Sequence, residues 1–413
     1  MPIPVAGVER KILILDPDCK EMSGHHYQTN KSLISNLGNA QVYLAVRSPA
    51  YETLEFGSGV KICRWPSVSK FSNRLRKIRG KSRLNSAAQL ALDSKFISRI
   101  IKKVGLSRDD VVIVHSADKL ILSLPDAFRS IDKSMGPSFF IRFLDVNSIK
   151  QDKTEFHRKL VKEQKVRGNV AIFSETQETA QSLELEYGYA PVRQWIVPLA
   201  MREVAESDAK QDPKDVFVVG FLGGKRPDQQ PGSIPEIVQS LLGSKDNWPV
   251  SKFKLLIQAV TPATRQPEFY ESAMKTLNSI LASESDGRVI VEMLPPDLSE
   301  VEFRHAVAMT HLLVLPYDMK QYGNRGSGLV IEGALSGTPV AVPAGFAMRH
   351  WSEMAGSPSC AGSHEFAQAI LNVAADYETF CQGASRAGVH MRSLIEKRIA
   401  EIRFGNSGTE SHI

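Results

Sequence analysis

Long apolar runs are missing from this sequence. Its longest nearly uncharged apolar runs, such as Val111–Val114 and His311–Pro316, fall far short of the roughly 18–20 residues that a membrane-spanning helix needs. Cysteine is scarce: the chain of 413 residues has four, Cys19, Cys63, Cys360 and Cys381, with no C-x-x-C pair and no histidine at zinc-finger spacing. They read as reduced thiols, which excludes a disulfide framework and a cysteine-rich metal module. The N-terminus opens Met1-Pro2-Ile3-Pro4 and reaches Glu9-Arg10-Lys11 before any long apolar stretch, the wrong order for a secretory signal, so a cytoplasmic chain is expected. Charge of one sign hardly dominates either, with 51 Lys and Arg against 45 Asp and Glu, a net of +6. At 42% hydrophobic and 23% charged residues the chain can bury a sizeable core, which excludes global disorder, collagen and coiled coil.

What is present is alternation. Short apolar, often β-branched runs are separated by longer amphipathic segments, the pattern of βα units and a parallel sheet. In the first half the spacing predicts strands at Lys11–Asp16, Gln41–Val46, Val111–His115, Ser138–Leu144, Val170–Ser174 and Gln194–Val197, with helices at Tyr27–Leu37, Ala87–Val104 and Glu175–Tyr187. The polar stretch Glu206–Asp215 then interrupts the pattern as a linker would. Beyond it strands are expected at Val216–Leu222, Phe253–Ala259, Arg288–Met293, His311–Leu315 and Pro339–Pro343, with helices at Ile234–Leu242, Pro267–Ala282, Val301–Met309 and Ser327–Leu335. The expected organisation is α/β with two doubly wound parallel sheets: a domain over 1–205, a linker over 206–215, a domain over 216–383, and a C-terminal helix and tail over 384–413 long enough to return toward the first domain. Two such sheets imply a cleft between them, and ligands of open parallel sheets bind beyond the strand C-termini.

Three segments carry chemistry. After the first strand comes Ser23-Gly24-His25-His26-Tyr27. A glycine at a strand-to-helix turn admits a ligand close to the backbone, and His25 and His26 are candidate acceptor contacts or simply solvated loop residues. The second is Gly223-Gly224-Lys225-Arg226-Pro227, where exposed backbone N–H groups beside two cations suit a diphosphate and equally make a surface turn. The third runs from Leu315-Pro316-Tyr317-Asp318 through Tyr322-Gly323-Asn324-Arg325-Gly326-Ser327-Gly328-Leu329-Val330-Ile331-Glu332 to Pro339. There a buried strand ends in Tyr317, a glycine-rich loop follows, and a helix starts near Ser327 with Glu332 on it. Such a loop presents amide groups and the helix dipole to a phosphate while Glu332 accepts hydrogen bonds from a diol. The alternative, Ser327 as a plain N-cap and Glu332 as a solvated helix residue, leaves the clustering of Gly326, Gly328, Gly337 and Pro339 unexplained.

The pattern Tyr322-x-x-Arg325-x-Ser327-Gly328-x-x-x-Glu332-x-Ala334-x-x-x-Gly337-x-Pro339-Val340 resembles the donor-binding signature of GT-B glycosyltransferases, close to the large retaining, family 4-like bacterial group. Gly24-His25-His26 is similar to that family's acceptor-side loop, Gly223-Gly224-Lys225-Arg226-Pro227 to its basic loop, and Leu294-Pro295-Pro296-Asp297-Leu298-Ser299 to the turn beside the donor's base. The resemblance implies two Rossmann-like domains facing across a cleft, acceptor-binding first and donor-binding second. It implies transfer of a sugar from a nucleotide diphosphate sugar, as co-substrate rather than cofactor, to a glycan, lipid-linked or small-molecule hydroxyl with retention, in polysaccharide or glycoconjugate biosynthesis. Arg226, Glu332 and His115 are the implied catalytic residues. Gly223, Gly224, Lys225, Gln229, Leu294, Tyr317, Arg325, Ser327, Gly328 and Leu329 would bind the donor, and Gly24, His25 and His26 the acceptor. No metal is implied.

Two positions depart from the family. Gln229-Gln230 stands where members carry Lys-Gly, and Asn324 replaces the first glutamate of the E-x7-E pair that ends in Glu332. Either Lys225 and Arg325 supply the missing charge, or transfer is slow or lost. A sugar-nucleotide-binding subunit without catalysis and a GT-B epimerase are therefore the alternative readings. Finally, Lys70, Arg74, Arg76, Lys77, Arg79, Lys81 and Arg83 follow one another with no intervening acid. That run suits peripheral contact with an anionic membrane at its inner face or is a solvated basic segment; no nucleic acid is expected.

Overall fold

The computed structural model describes residues 10–19, 25–47, 54, 56–57, 59–66, 82–145, 154–197, 212–223, 229, 231–260, 267–284 and 286–404. The chain divides into two compact units, Met1–Leu199 with Ile395–Ile413, and Ala200–Leu394.

The first unit holds a seven-stranded parallel sheet in the order β3-β2-β1-β4-β5-β6-β7. Its strands are β1 (Lys11–Leu15), β2 (Gln41–Arg47), β3 (Val60–Trp65), β4 (Val111–Val114), β5 (Ser138–Phe143), β6 (Val170–Ser174) and β7 (Val192–Gln194). The helices are α1 (His25–Asn36), α2 (Ser82–Val104), α3 (Ala117–Leu120), α4 (Leu124–Phe128), α5 (Thr154–Arg167) and α6 (Gln177–Tyr187). Successive side chains of a strand point to opposite faces. Leu13 and Leu15 accordingly join one core with Val112 and Val114, while Ile12 and Ile14 join the other with Val111 and Ile113. Covered on both sides, β4 reads as an unbroken run, Val-Val-Ile-Val, every residue buried.

The second unit holds a six-stranded parallel sheet in the order β10-β9-β8-β11-β12-β13. These are β8 (Val216–Phe221), β9 (Lys252–Gln258), β10 (Val289–Leu294), β11 (Leu312–Val314), β12 (Val340–Pro343) and β13 (Ser359–Cys360). Its helices are α7 (Ser233–Leu242), α8 (Pro267–Ala282), α9 (Glu300–Met309), α10 (Met319–Tyr322), α11 (Gly328–Leu335), α12 (Arg349–Met354) and α13 (Ser363–Ala375), followed by α14 (Tyr377–Phe404). Ser299 and Glu302 start α9 with a reciprocal capping box, which also fixes where the turn after β10 ends.

In both sheets the first strand is central and the fourth pairs on its other side, the doubly wound order whose reversal opens a crevice beyond the carboxyl ends of those two strands. The switch falls between β1 and β4 in the first unit and between β8 and β11 in the second.

Three expectations shift. The strand expected at Gln194–Val197 lies at Val192–Gln194, because Ile172 to Ser174 of β6 pair there; Trp195, Ile196 and Val197 are buried beyond it. β3 was not expected, since Lys61 and Arg64 break up its apolar residues at the sheet edge. The C-terminal helical stretch Ala367–Phe404 is two helices, interrupted at Asp376, which leaves helical geometry at φ −136°. Within α14, Gly383 and Gly388 lie against backbone: a Cβ at these positions would come 2.2 Å from the carbonyl oxygens of Ala355 and Ala334. Further along, Ile402 is fully buried in the first unit's core beside Leu33 and Leu37, its carbonyl accepts from Arg10 at 2.8 Å, and Arg398 donates to the Gln194 carbonyl at 2.9 Å. All four cysteines are unpaired, and burial pushes the Cys19 and Cys360 thiols up to about 12. Among the described residues no helix is long and apolar enough to cross a membrane.

Candidate functional site

At the first unit's switch point a buried polar cluster forms around Asp16, the residue directly after β1. His115, directly after β4, places Nε2 3.2 Å from Asp16 Oδ2 and 3.0 Å from Asn30 Oδ1. Asn30, on α1, donates from Nδ2 to Asp16 Oδ2 at 2.6 Å, and His26 at the start of the same helix brings Nδ1 to 3.0 Å from Asp16 Oδ1. Both imidazoles face oxygen acceptors, so Nε2 of His115 and Nδ1 of His26 are the protonated nitrogens. Burial alone would raise the Asp16 carboxyl. His115 and then His26 outweigh it through charge and hydrogen bonding and hold Asp16 well below the usual carboxylate range.

The neighbouring strand ends are tied into the same region. Buried Arg142 on β5 donates to the His115 carbonyl at 3.3 Å and pairs with buried Glu175, after β6. Asp118 on α3 accepts from the backbone N–H groups of Leu144 and Asp145 at 3.4 and 3.2 Å; burial pushes its carboxyl up to about 6, against the pull of those donors. Asp16, His26 and His115 offer ligand atoms all within 4.8 Å of one another, a donor set a divalent cation can use. The hydrogen bonds above account for those short distances equally well.

The second unit's switch point carries the glycine-rich segments. Gly223 follows β8 with φ +77° and donates its N–H to Gln258 Oε1 at 2.8 Å. A side chain there would be strained and would meet Leu329 Cδ1 at 2.8 Å and Gln229 Nε2 at 3.4 Å, so the turn requires glycine. Across the switch, Tyr317 is buried with its hydroxyl 3.0 Å from Ser327 Oγ and its ring stacked on Tyr322 at 4.1 Å. The Arg325 guanidinium lies 5.7 Å from the Tyr322 ring centre. A pocket of about 330 Å³, counting the solvent at its mouth, opens at the ends of β8, β9 and β11; Leu222, Gln229, Gln258 and Tyr317 are among its lining.

Ser327 is the N-cap residue of α11, but its side chain does not cap the helix: Oγ is engaged with Tyr317, and its N–H donates to Met348 Sδ at 3.2 Å. Gly328 and Leu329 therefore head the first turn with its amide groups. Glu332 is buried on α11 rather than solvated. Gly333 beside it lets α11 pack on β12, since a Cβ there would sit 2.5 Å from Val340 Cγ2.

Of the residues expected from sequence, Gly223, Gln229 and Leu329 come together, as do Tyr317, Ser327 and Arg325 around Tyr322. Leu294 ends β10, where its carbonyl accepts from Ala259 at 3.0 Å, and it does not line the pocket. His115 was expected as an acceptor contact; it is 1% exposed, and the more exposed imidazole of the pair is His26. Gly24, Gly224, Lys225, Arg226 and the side chain of His25 lie outside the described residues, as does most of the basic run from Lys70 to Arg83. Asp16, Asn30, Gln258 and Met348 were not singled out in the sequence. The one signal for Asp16 and Gln258 is a polar residue ending an apolar strand at the carboxyl edge of its sheet.

The architecture is that of the GT-B fold. The sequence matches no protein-family model and no curated protein. Solved structures do match over nearly the whole chain. HepE of Anabaena, crystallised in complex with UDP, is 14% identical, with 95% of this chain and 98% of that one covered at a TM-score of 0.60. A glycosyltransferase from Rickettsia africae is 11% identical, with 96% and 98% covered at a TM-score of 0.63. The UDP-forming alpha,alpha-trehalose-phosphate synthase from Burkholderia vietnamiensis is 10% identical, with 95% and 99% covered at a TM-score of 0.57.

Proposed function

We propose that this chain transfers a glycosyl unit from a nucleoside diphosphate sugar to an acceptor hydroxyl, with retention at the anomeric carbon and without a metal. The observation that carries the reading is the pocket at the β8/β11 switch point, lined by Leu222 and Gln229 on one side and by Tyr317 on the other, next to the Gly223 turn on which Leu329 of α11 packs. HepE, with the same fold, was crystallised with UDP.

The main barrier of such a transfer is charge separation between an oxocarbenium-like sugar and a departing nucleoside diphosphate. Catalysis then rests on stabilising the leaving group and positioning the acceptor. In this reading Arg226 and Lys225, with the amides of Gly328 and Leu329, take the diphosphate. Glu332 accepts hydrogen bonds from ribose or sugar hydroxyls. His26 meets the acceptor with Gly24 and His25, while His115 acts from behind, its imidazole fixed by Asp16 and Asn30. Cations and amides do the work of a metal, so EDTA is expected to leave turnover unchanged. The acceptor class we propose is a glycan or lipid-linked hydroxyl in glycoconjugate synthesis, with the Lys70–Arg83 run holding a cytoplasmic enzyme to an anionic membrane surface.

A panel of nucleotide sugars, followed by detection of released nucleoside diphosphate and of the anomeric configuration of the product, tests the reaction. Calorimetry with Arg226→Ala and Glu332→Ala tests the site: unchanged donor affinity in both overturns the assignment. A second reading, donor binding without transfer, draws on the Gln229 amide beside Gly223, where the family places a lysine, and on Asn324. Nucleotide binding without turnover of any sugar would select it.

A further inference from the structure

One buried amide joins two turns that the sequence leaves unconnected. Gln258 is the last residue of β9, between β8 and β10, and is 3% exposed. Its Oε1 accepts from the Gly223 N–H at 2.8 Å and its Nε2 donates to the Pro296 carbonyl at 3.0 Å. Its own carbonyl is reached by the Tyr270 hydroxyl of α8 at 3.5 Å. Both ends of the side chain are thus satisfied by loop backbone, one on each flanking strand.

We propose that Gln258 is a positioning residue for the donor, holding the left-handed Gly223 turn and the turn after β10 in one fixed relation so that a nucleoside diphosphate meets a preformed pocket. The assignment rests on the donor-binding reading above. The chemistry needs a side chain carrying an acceptor and a donor on one rigid plane, of a length that spans two strand ends, and the glutamine amide supplies that pair. Gln258 lines the pocket and bonds the Gly223 N–H directly, so it fixes the backbone of the turn at Gly223 beside the pocket. A ligand arriving at an unclamped turn would have to order it on binding, which lowers affinity without removing any direct contact. Gln258→Glu and Gln258→Leu separate the two bonds. The carboxylate keeps the acceptor for Gly223 and loses the donor for Pro296, whereas leucine loses both.

The test is calorimetry on full-length wild type, Q258E and Q258L with UDP, ADP and GDP, with uridine (or the matching nucleoside) and with pyrophosphate, well below each variant's melting temperature. The expected result for Q258L is a fall of about ten- to a hundredfold in affinity for whichever nucleoside diphosphate the wild type prefers. That fall should exceed the product of the falls for the nucleoside and pyrophosphate alone, because the clamp relates one half of the site to the other. Q258E should weaken binding too, with the larger effect on pyrophosphate. A purely structural role would lower the melting temperature while leaving the folded variants' affinities at the wild-type value, and that result overturns the proposal. A wild type that binds none of the nucleotides overturns the donor reading and this proposal with it, whereas tight wild-type binding with unaltered Q258L overturns this proposal alone.

Discussion

The Nε2 nitrogen of His115 stands 3.2 Å from Oδ2 of Asp16, joining the residues that leave β4 and β1 at the reversal point of the first sheet. With Asn30 and His26 on the same carboxylate, the anion is enclosed by donors rather than by water. Removing the charge should therefore cost stability as well as order at the site.

For Asp16→Asn we expect a loss of about 1.5–3 kcal/mol at pH 7, the range for hydrogen bonds to charged groups. Because the folded state holds the carboxyl below its ordinary value of 3.8, the contribution is present above that pH and is lost as the pH falls below it. The gap between wild type and variant in denaturant titrations should narrow steadily below about pH 4, with part of it still present at about pH 3 because the loss continues down to the folded-state value. A gap that does not change with pH would contradict the account.

Asp118 should behave with the opposite sign. Burial raises its carboxyl from 3.8 to about 6, so protonation favours the folded state, and that gain disappears as pH rises through about 6. Asp118→Asn keeps an oxygen for the Leu144 and Asp145 donors without the charge. It should stabilise the chain by on the order of 1–3 kcal/mol at pH 7 and by nothing near pH 3.5, read by the same titrations.

The Arg142–Glu175 pair is buried, and breaking one side leaves the other charge uncompensated. Arg142→Met should destabilise by about 3–5 kcal/mol, while Arg142→Met with Glu175→Gln should recover part of that loss. A double-mutant cycle by urea denaturation checks both values, and additive losses would show that the two side chains do not act together.

Gly388→Ala should destabilise by about 1–3 kcal/mol or more, since its Cβ would be 2.2 Å from the Ala334 carbonyl oxygen and backbone on both sides cannot swing aside. Gly362→Ala, with nothing within 4 Å of its Cβ, serves as the control and should leave the melting temperature within a degree or two.

How far the fold could be read depended on how continuous each signal was. β1, β4 and β8 announce themselves as unbroken apolar runs because both their faces are buried. β3 does not, since an edge strand tolerates Lys61 and Arg64, and no local feature of Gln194–Val197 tells that β6 pairs with its first residue only. The second unit's site was legible where glycine is compulsory, as at Gly223, and where a loop opens a helix, as at Ser327 and Gly328. What escaped notice were side chains whose partners lie far along the chain. Asp16 is an ordinary strand-end acid until the sheet order brings His115 beside it, and Gln258 an ordinary strand-end amide until Gly223 and Pro296 flank it. The reversal of Ser327 from helix cap to partner of Tyr317 belongs to the same class.

The buried position of Ile402 has a bearing on how the chain is made. The core between α1 and the first sheet is closed by a residue translated after the whole of Ala200–Leu394, so at synthesis rates of about 5–20 residues per second that core waits some ~10–40 s for its last side chain. Through that interval Arg10 and the Gln194 carbonyl are without Ile402 and Arg398. A released fragment ending at Leu394 should thus be more open to proteolysis in Met1–Leu199 than in Ala200–Leu394, although Met1–Leu199 is made first.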